Sequence, residues 1–180
     1  MDTARNQTSF LGFLIAGAIA GMIGGAMMAM FTMIATATYL GMGFFTPLYV
    51  MASPLIGKQV MMTAMHGGVF YFALGPAVLG LVVHMMWSAL WGIIFGLIAA
   101  GLHLRGVAAV VGGMIYGLLV LLVMSFIVLP IVGAPTLFQL LGWPTWIIGH
   151  LLFGMVVGLW LVLRPQDVTG LLGRQARQSA

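Results

Sequence analysis

Long apolar runs separated by short polar breaks dominate the pattern of this chain. A helix needs about 20 mostly apolar residues to cross a hydrocarbon core of about 30 Å, because it rises 1.5 Å per residue. Four runs meet this length, and we predict transmembrane helices over residues 10–39, 77–102, 107–129 and 145–163. The pattern therefore predicts an all-α fold, an integral membrane four-helix bundle. We expect one transmembrane domain over residues 1–164 and a short polar tail over 165–180.

The connection between the first two predicted helices, residues 41–76, is long and itself apolar. It contains prolines, Lys58, His66 and several aromatic residues. Irregular backbone exposed to lipid leaves polar groups without partners, so such a segment favours short helices at the membrane interface. We predict that this loop lies on the interface or dips into it, with a re-entrant segment around Gln59–Phe72 as one form.

The two halves of the chain share a layout in which one helix leaves, a proline-containing loop follows and a second helix returns. The returning helices begin at Pro76 and Pro144, and His84 and His150 follow these prolines by eight and six residues. This weak internal repeat predicts two hairpins related by an axis along the membrane normal. Both histidines would then lie at nearly the same depth, roughly 10 Å from the helix starts.

Small residues recur at every fourth position on each predicted helix. Such stripes let helix backbones approach closely, so we predict that they are the packing faces of the bundle. His84 and His150 lie on two of these stripes and should point into the protein. The stripes are Gly17, Gly21, Gly25 and Ala29; Gly80, His84, Ser88, Gly92 and Gly96; Gly113 and Gly117; and Trp146, His150, Gly154 and Gly158.

Composition strengthens the membrane prediction, because hydrophobic residues make up 63% of the chain and charged residues only 4%. A soluble protein has about 25% charged residues with which to cover its surface. The net charge of +4 does not indicate nucleic-acid binding, since the cations lie at helix ends and not in one patch. The lipid bilayer is therefore the predicted partner, and nucleic acid is not.

The distribution of cations predicts the orientation of the bundle. Lys58 stands alone on one side, and both termini should be cytoplasmic because cytoplasmic loops carry most Lys and Arg. Aromatic residues at the other end should mark the outer interface. The cytoplasmic cations are Arg5, Arg105, Arg164, Arg174 and Arg177, and the interface residues are Tyr39, Tyr49, Trp143 and Trp146.

His84 and His150 are the main candidates for chemistry, since an imidazole inside a membrane is costly unless it has a partner. Two imidazoles at one depth could hold a haem b, or could ligate a small metal site. Met30 and Met33 lie near this depth on the first helix, and Met85 and Met86 adjoin His84. With His66, a copper(I) site formed by His84, His150, His66 and Met33 is conceivable.

Other functions for the same histidines stay open. Each imidazole could simply bond a backbone carbonyl or a hydroxyl, for which Ser88 and Ser125 are available, in a purely structural protein. The histidines could also line the path of a proton or small-solute transporter or channel. An accessory role beside other membrane subunits, or in a homo-oligomer, is also open, because the small-residue stripes would allow partner helices.

Several classes of chemistry are disfavoured. The two acidic residues, Asp2 and Asp167, lie outside the predicted spans, which argues against a carboxylate-driven carrier and against general acid–base catalysis by paired carboxylates. There is no cysteine, so thiol catalysis and thiolate-ligated metal centres are excluded. We therefore predict that the protein is not an enzyme.

Three segments carry a resemblance to a known family. They are VVHMMWSALWGIIFGLI (82–98), SFIVLPIVG (125–133) and IIGHLLFGMVVGLW (147–160). These segments resemble the YagU-like small bacterial inner-membrane proteins, with the family-like features at His84, Pro130 and Gly149–His150. The resemblance implies a four-helix protein of the inner membrane and implies little about its activity.

Overall fold

The computed structural model describes the backbone of residues 2–132 and 137–163. Within these ranges the chain is helical and has no strand, so the all-α prediction is confirmed. The predicted tail over 165–180, together with Arg164, lies outside the described residues, as does the side chain of Arg5. The elements are α1 (Asp2–Thr38), α2 (Thr46–Ile56), α3 (Gln59–His66), α4 (Leu74–Gly101), α5 (Val107–Val123), a π-helical turn (Met124–Val128), α6 (Leu129–Ile131), α7 (Leu137–Leu141) and α8 (Trp143–Leu163).

Four helical segments are long and apolar enough to cross a membrane. They are Leu14–Thr38, Leu74–Gly101, Val107–Ile131 and Trp143–Leu163. The third segment combines α5, the π-helical turn and α6. These segments match the four predicted spans to within a few residues, although α1 begins earlier than its span. The protein is a multi-pass membrane protein with a helical bundle.

The bundle has two different ends. At the long-loop end, α1 stops and α4 and α8 begin; at the short-loop end, residues 102–106 join α4 to α5. Helix α1 packs on α4, and α5 packs on α8, so the two predicted hairpins are confirmed. Helix α1 also packs on α8 and joins the hairpins, whereas α4 and α5 approach one another only sparsely.

Glycines make the close contacts within each hairpin. A Cβ atom at Gly21 would overlap the backbone of Ser88, and one at Gly92 would overlap the backbone of α1. In the second hairpin, a Cβ at Gly113 would overlap the backbone of Gly154. The prediction that the small-residue stripes are packing faces is therefore confirmed, because the helix backbones meet closely at these glycines.

The 41–76 connection forms two short helices, α2 and α3, as predicted. Helix α2 packs on α4, where Gly80 admits the backbone of Leu48. The hydroxyl of Tyr49 accepts a hydrogen bond from the backbone N–H of Ala73 (2.8 Å) and donates one to the carbonyl of Tyr71 (3.3 Å). Because of these bonds, α2 is held against the start of α4. The position of α2 and α3 relative to the membrane surface stays a prediction.

Two of the four predicted interface aromatics lie inside the protein. Tyr39 and Trp143 are 60% and 42% exposed, which suits an interface, but Tyr49 and Trp146 are only 1% and 3% exposed. The prediction was wrong for Tyr49 because its hydroxyl serves the α2–α4 contact. It was wrong for Trp146 because this residue lies on the packing stripe of α8, four residues before His150.

A π-helical turn precedes Pro130 near the end of the third span. Proline has no N–H, and its ring clashes with the carbonyl four residues earlier in an α-helix. Here the N–H of Leu129 donates to the carbonyl of Met124, five residues back, so the chain takes one wide turn before the proline. Such π-turns inside helices are frequent at functional sites.

Candidate functional site

A small cavity of about 40 Å³ lies inside the bundle and is lined by both candidate histidines. His84 comes from α4 and His150 from α8, and they are 9% and 3% exposed. The structure therefore brings the two predicted residues to one place and turns both into the protein. The remaining lining consists of methionines and aromatic side chains, with Ser88 and Val120.

The imidazole of His84 is held by the neighbouring helix of its hairpin. Its Nε2–H donates to the carbonyl oxygen of Gly25 on α1 at 2.9 Å, since a carbonyl can only accept. The close approach depends on Gly25, because a Cβ there would overlap the side chain of Ser88. This bond fixes the tautomer of His84, so Nδ1 keeps its lone pair.

The imidazole of His150 is held by its own helix. Its Nδ1–H donates to the carbonyl oxygen of Trp146, one turn earlier, at 2.9 Å. The indole ring of Trp146 stacks on the imidazole, with 5.1 Å between the ring centroids. In the resulting tautomer Nε2 keeps its lone pair. Each histidine therefore has one nitrogen anchored to the backbone and the other available as an acceptor or ligand.

Neither serine named as a possible partner bonds a histidine ring. The hydroxyl of Ser88 donates to the backbone carbonyl of His84 at 2.7 Å, and the buried hydroxyl of Ser125 has no hydrogen-bond partner among the described residues. The alternative prediction, that each imidazole bonds a backbone carbonyl, is confirmed for both His84 and His150. Backbone carbonyls are the more frequent partners for a buried imidazole because each helix residue has one. At Gly25 the carbonyl oxygen is accessible to His84 because glycine has no side chain.

The thioethers at the cavity differ from those expected. Met28 of α1, Met51 of α2 and Met124 of the π-helical turn line it with both histidines, and the first two also line a second small cavity beside His84. Met33 is buried but does not line either cavity, while Met30 and Met86 are more than half exposed. Residue spacing along α1 alone did not show which methionine faces α4.

His66 is also separate from the site. It ends α3, is exposed, and its Nδ1–H donates to the carbonyl of Met62 at 3.0 Å. The predicted ligand set is therefore corrected: His84 and His150 share a cavity, and His66 and Met33 do not reach it. Met28, Met51 and Met124 line the cavity instead.

A haem does not fit between the two histidines. Cofactor-sized pockets occupy about 300–1,000 Å³, and the histidine cavity has about 40 Å³. A larger cavity of about 470 Å³ lies nearby, but neither histidine lines it. The space at the histidines suits a single ion or a water molecule, which needs about 10–15 Å³.

Only neutral groups surround this cavity. The described residues contain no cluster of three His, Asp or Glu side chains that could hold a metal ion. The two aspartates of the chain, Asp2 and Asp167, lie near its ends. A cation at the histidines would therefore meet imidazole nitrogens and thioether sulfurs without a carboxylate to balance its charge.

No family model, curated protein or solved structure matches this chain. The chemistry of the site therefore depends on the residues that form it, and the likeness to YagU-like proteins stays a prediction. Trp146 could have been assigned to the site from the sequence, because it lies on the stripe of His150. Met51 could not, because it comes from a loop helix whose docking no local pattern indicates.

Proposed function

We propose that this protein binds a single copper(I) ion inside its transmembrane bundle. The ligands are Nδ1 of His84, Nε2 of His150 and the thioethers of Met28 and Met51. One observation carries this proposal: both imidazoles line one small cavity with these two thioethers, and each ring has its other nitrogen bonded to a backbone carbonyl. Histidine ligands of metals usually donate their second ring nitrogen in this way.

The neutral ligand set favours copper(I) over other metals. Thioethers are soft ligands and select copper(I), whereas Mg²⁺, Ca²⁺ and Mn²⁺ prefer carboxylates. A divalent ion would also bring two positive charges into a membrane interior without a carboxylate, and buried charge of this kind is costly. Burying a single positive charge that is shared among two imidazoles and two thioethers costs less free energy than burying a divalent ion.

Titration with copper(I) under anaerobic, reducing conditions tests this proposal, with a chromogenic chelator competing for the ion. We expect one ion per chain in the detergent-solubilised protein. His84→Ala and His150→Ala should each weaken binding by about 10-fold or more, because loss of a ligand should exceed the 10–100-fold cost of losing an outer-shell partner. X-ray absorption should show nitrogen and sulfur neighbours.

His66→Ala and His103→Ala are the matched controls, since both residues are exposed imidazoles outside the site. They should bind copper(I) as the original chain does. Copper(I) binding that falls equally in the controls, or that survives both site substitutions, would disprove the proposal.

A purely structural role for the histidines is the second candidate, and the two hydrogen bonds to carbonyls favour it. His84 would then serve as a tie between α1 and α4. In that case the protein would bind no copper(I), and His84→Ala would lower the midpoint of thermal unfolding without any other effect. The described residues offer no observation that favours a proton or solute path.

We further propose that the protein lies in the bacterial inner membrane with both termini in the cytoplasm. Arg105 supports this orientation, since it lies in the turn at the short-loop end, while Lys58 is exposed between α2 and α3. The copper(I) cavity would then lie in the outer half of the membrane. The resemblance to YagU-like proteins supports the choice of membrane, and an accessory role beside other membrane subunits fits the apolar exterior.

A further inference from the structure

The seam between the two hairpins contains an apolar groove that the copper(I) proposal does not use. The groove has a volume of about 470 Å³ and lies between α2, α4 and the end of the third span. Its walls include Val50 and Leu55 of α2, Val83 and Leu90 of α4, and Val128 of the π-helical turn. Almost no polar surface lines it, so water has no partner there.

We propose that the groove binds one acyl chain of an anionic membrane phospholipid. The groove lies beside two membrane-crossing segments, where the surrounding solvent is hydrocarbon. Protein interiors and interfaces are close-packed. An apolar groove of this size that opens to the bilayer is therefore filled by a lipid acyl chain. This inference does not rest on the copper(I) proposal.

The volume of the groove matches a single chain. Ligand pockets occupy about 300–1,000 Å³, and the groove, at about 470 Å³, lies in this range. It therefore has room for one extended apolar chain.

The position of Lys58 indicates the charge of the lipid. Its side chain is exposed in the turn after α2, three residues beyond Leu55, which lines the groove. Long cationic side chains near helix ends extend toward lipid head groups. The phosphate of any phospholipid can pair with Lys58, but a zwitterionic head group adds a cation that this side chain repels, so we infer an anionic lipid.

The groove and the histidine cavity share a wall. Met51, Trp87 and Met124 line both spaces, so a chain in the groove packs against the far side of residues that enclose the histidines. Bound lipid would therefore hold this wall in place. Trp87 can also serve as a fluorescent reporter of the groove in a variant whose other four tryptophans are replaced by phenylalanine.

Mass spectrometry of the intact protein, purified from bacterial membranes in mild detergent, tests the lipid site. We expect one retained phospholipid per chain, enriched in anionic species. Leu90→Trp and Val128→Trp fill the groove and should reduce retention at least several-fold. Leu119→Trp is the matched control, because Leu119 is 53% exposed on α5 and does not line the groove. It should retain lipid normally.

Quenching of tryptophan fluorescence by lipids with brominated acyl chains provides a second measurement. In vesicles of brominated phosphatidylglycerol, a variant that keeps Trp87 as its single tryptophan should be quenched less after Leu90→Phe, because Phe occupies part of the groove beside Trp87. Lys58→Gln should keep one retained lipid but lose the preference for phosphatidylglycerol over phosphatidylcholine.

Three results would overturn the inference. The first is equal lipid retention by the original chain and both groove-filling variants. The second is retention of detergent alone, with no phospholipid. The third is a dimer whose cross-links map to Leu90 and Val128, since a second copy of the chain would then occupy the groove.

Discussion

At the scale of single residues, the missing side chains of glycines determine how the helices of this bundle approach. Gly80 is the clearest case, because the backbone of Leu48 on α2 occupies the space that a Cβ would need. Gly75, on the same helix, has nothing within 4 Å of its Cβ position. The two positions therefore form a matched pair, one in contact and one free.

We predict that Gly80→Ala displaces α2 and lowers the free energy of unfolding by about 1–3 kcal/mol, as overpacking does. Gly75→Ala should be neutral or slightly stabilising, because alanine favours a helix over glycine by about 1 kcal/mol. The midpoint of thermal unfolding in detergent measures both effects. Equal midpoints for the two variants would show that α2 does not dock on α4 as described.

Individual residues also show how far the sequence determines the site. The two stripes that contain His84 and His150 predicted that both rings face inward, because helical periodicity is a local property. Which methionines line the cavity depends on the rotation of α1, which brings in Met28, and on the docking of α2, which brings in Met51. Both are set by contacts between distant parts of the chain. The sequence pattern therefore indicated the histidines and not their neighbours.

The hydroxyl of Tyr116 on α5 donates to the carbonyl of Trp91 on α4 at 2.8 Å, across the sparse seam between these helices. Hydrogen bonds between membrane helices contribute about 0.6 kcal/mol on average and up to about 1.7 kcal/mol. We predict that Tyr116→Phe lowers the free energy of unfolding by this amount. Tyr71→Phe, whose hydroxyl makes no such bond between spans, is the control, and a loss as large in the control would contradict the prediction.

At the scale of elements, Pro130 explains the wide turn that precedes it. Residues of that turn form part of the groove wall. The sequence places a proline near the end of the third predicted span, but it did not indicate that a π-helical turn would precede this proline. The local sequence shows where an α-helix is disfavoured. Whether the backbone then forms a kink, a break or a π-helical turn depends on the residues that pack around it. Here the carbonyl of Met124 accepts from Leu129, and the wide turn presents Met124 and Val128 to the groove.

We predict that Pro130→Ala lets residues 124–131 return to a regular α-helix, because alanine restores the missing N–H and removes the ring. The free energy of unfolding should rise by up to about 3 kcal/mol, the usual cost of proline inside a helix. Lipid retention should fall as the turn narrows. Pro144→Ala is the control, since a proline in the first turn of α8 lacks no helical hydrogen bond. Distances between pairs of spin labels on either side of the turn measure this change. In Pro130→Ala they should equal the distances expected for a regular α-helix.

At the scale of the whole molecule, the fold was largely predictable from the sequence. Four apolar runs of sufficient length specify four membrane-crossing helices, and the glycine stripes specify which faces meet. The seam between α4 and α5 was not predictable, because it reflects the way in which α1 joins the hairpins and leaves α4 and α5 apart. The groove follows from that arrangement.

The orientation of the whole molecule can be tested with two cysteine variants, because the chain has no cysteine of its own. His66 at the end of α3 and His103 in the short-loop turn are both exposed and lie on opposite sides in the proposed topology. We predict that His66→Cys reacts with a membrane-impermeant maleimide in intact bacterial spheroplasts, while His103→Cys reacts only after lysis. The reason is that cytoplasmic loops carry most Lys and Arg, so the turn that contains Arg105 should be cytoplasmic. The reverse labelling pattern would show the opposite orientation and would place the histidine cavity in the cytoplasmic half of the membrane.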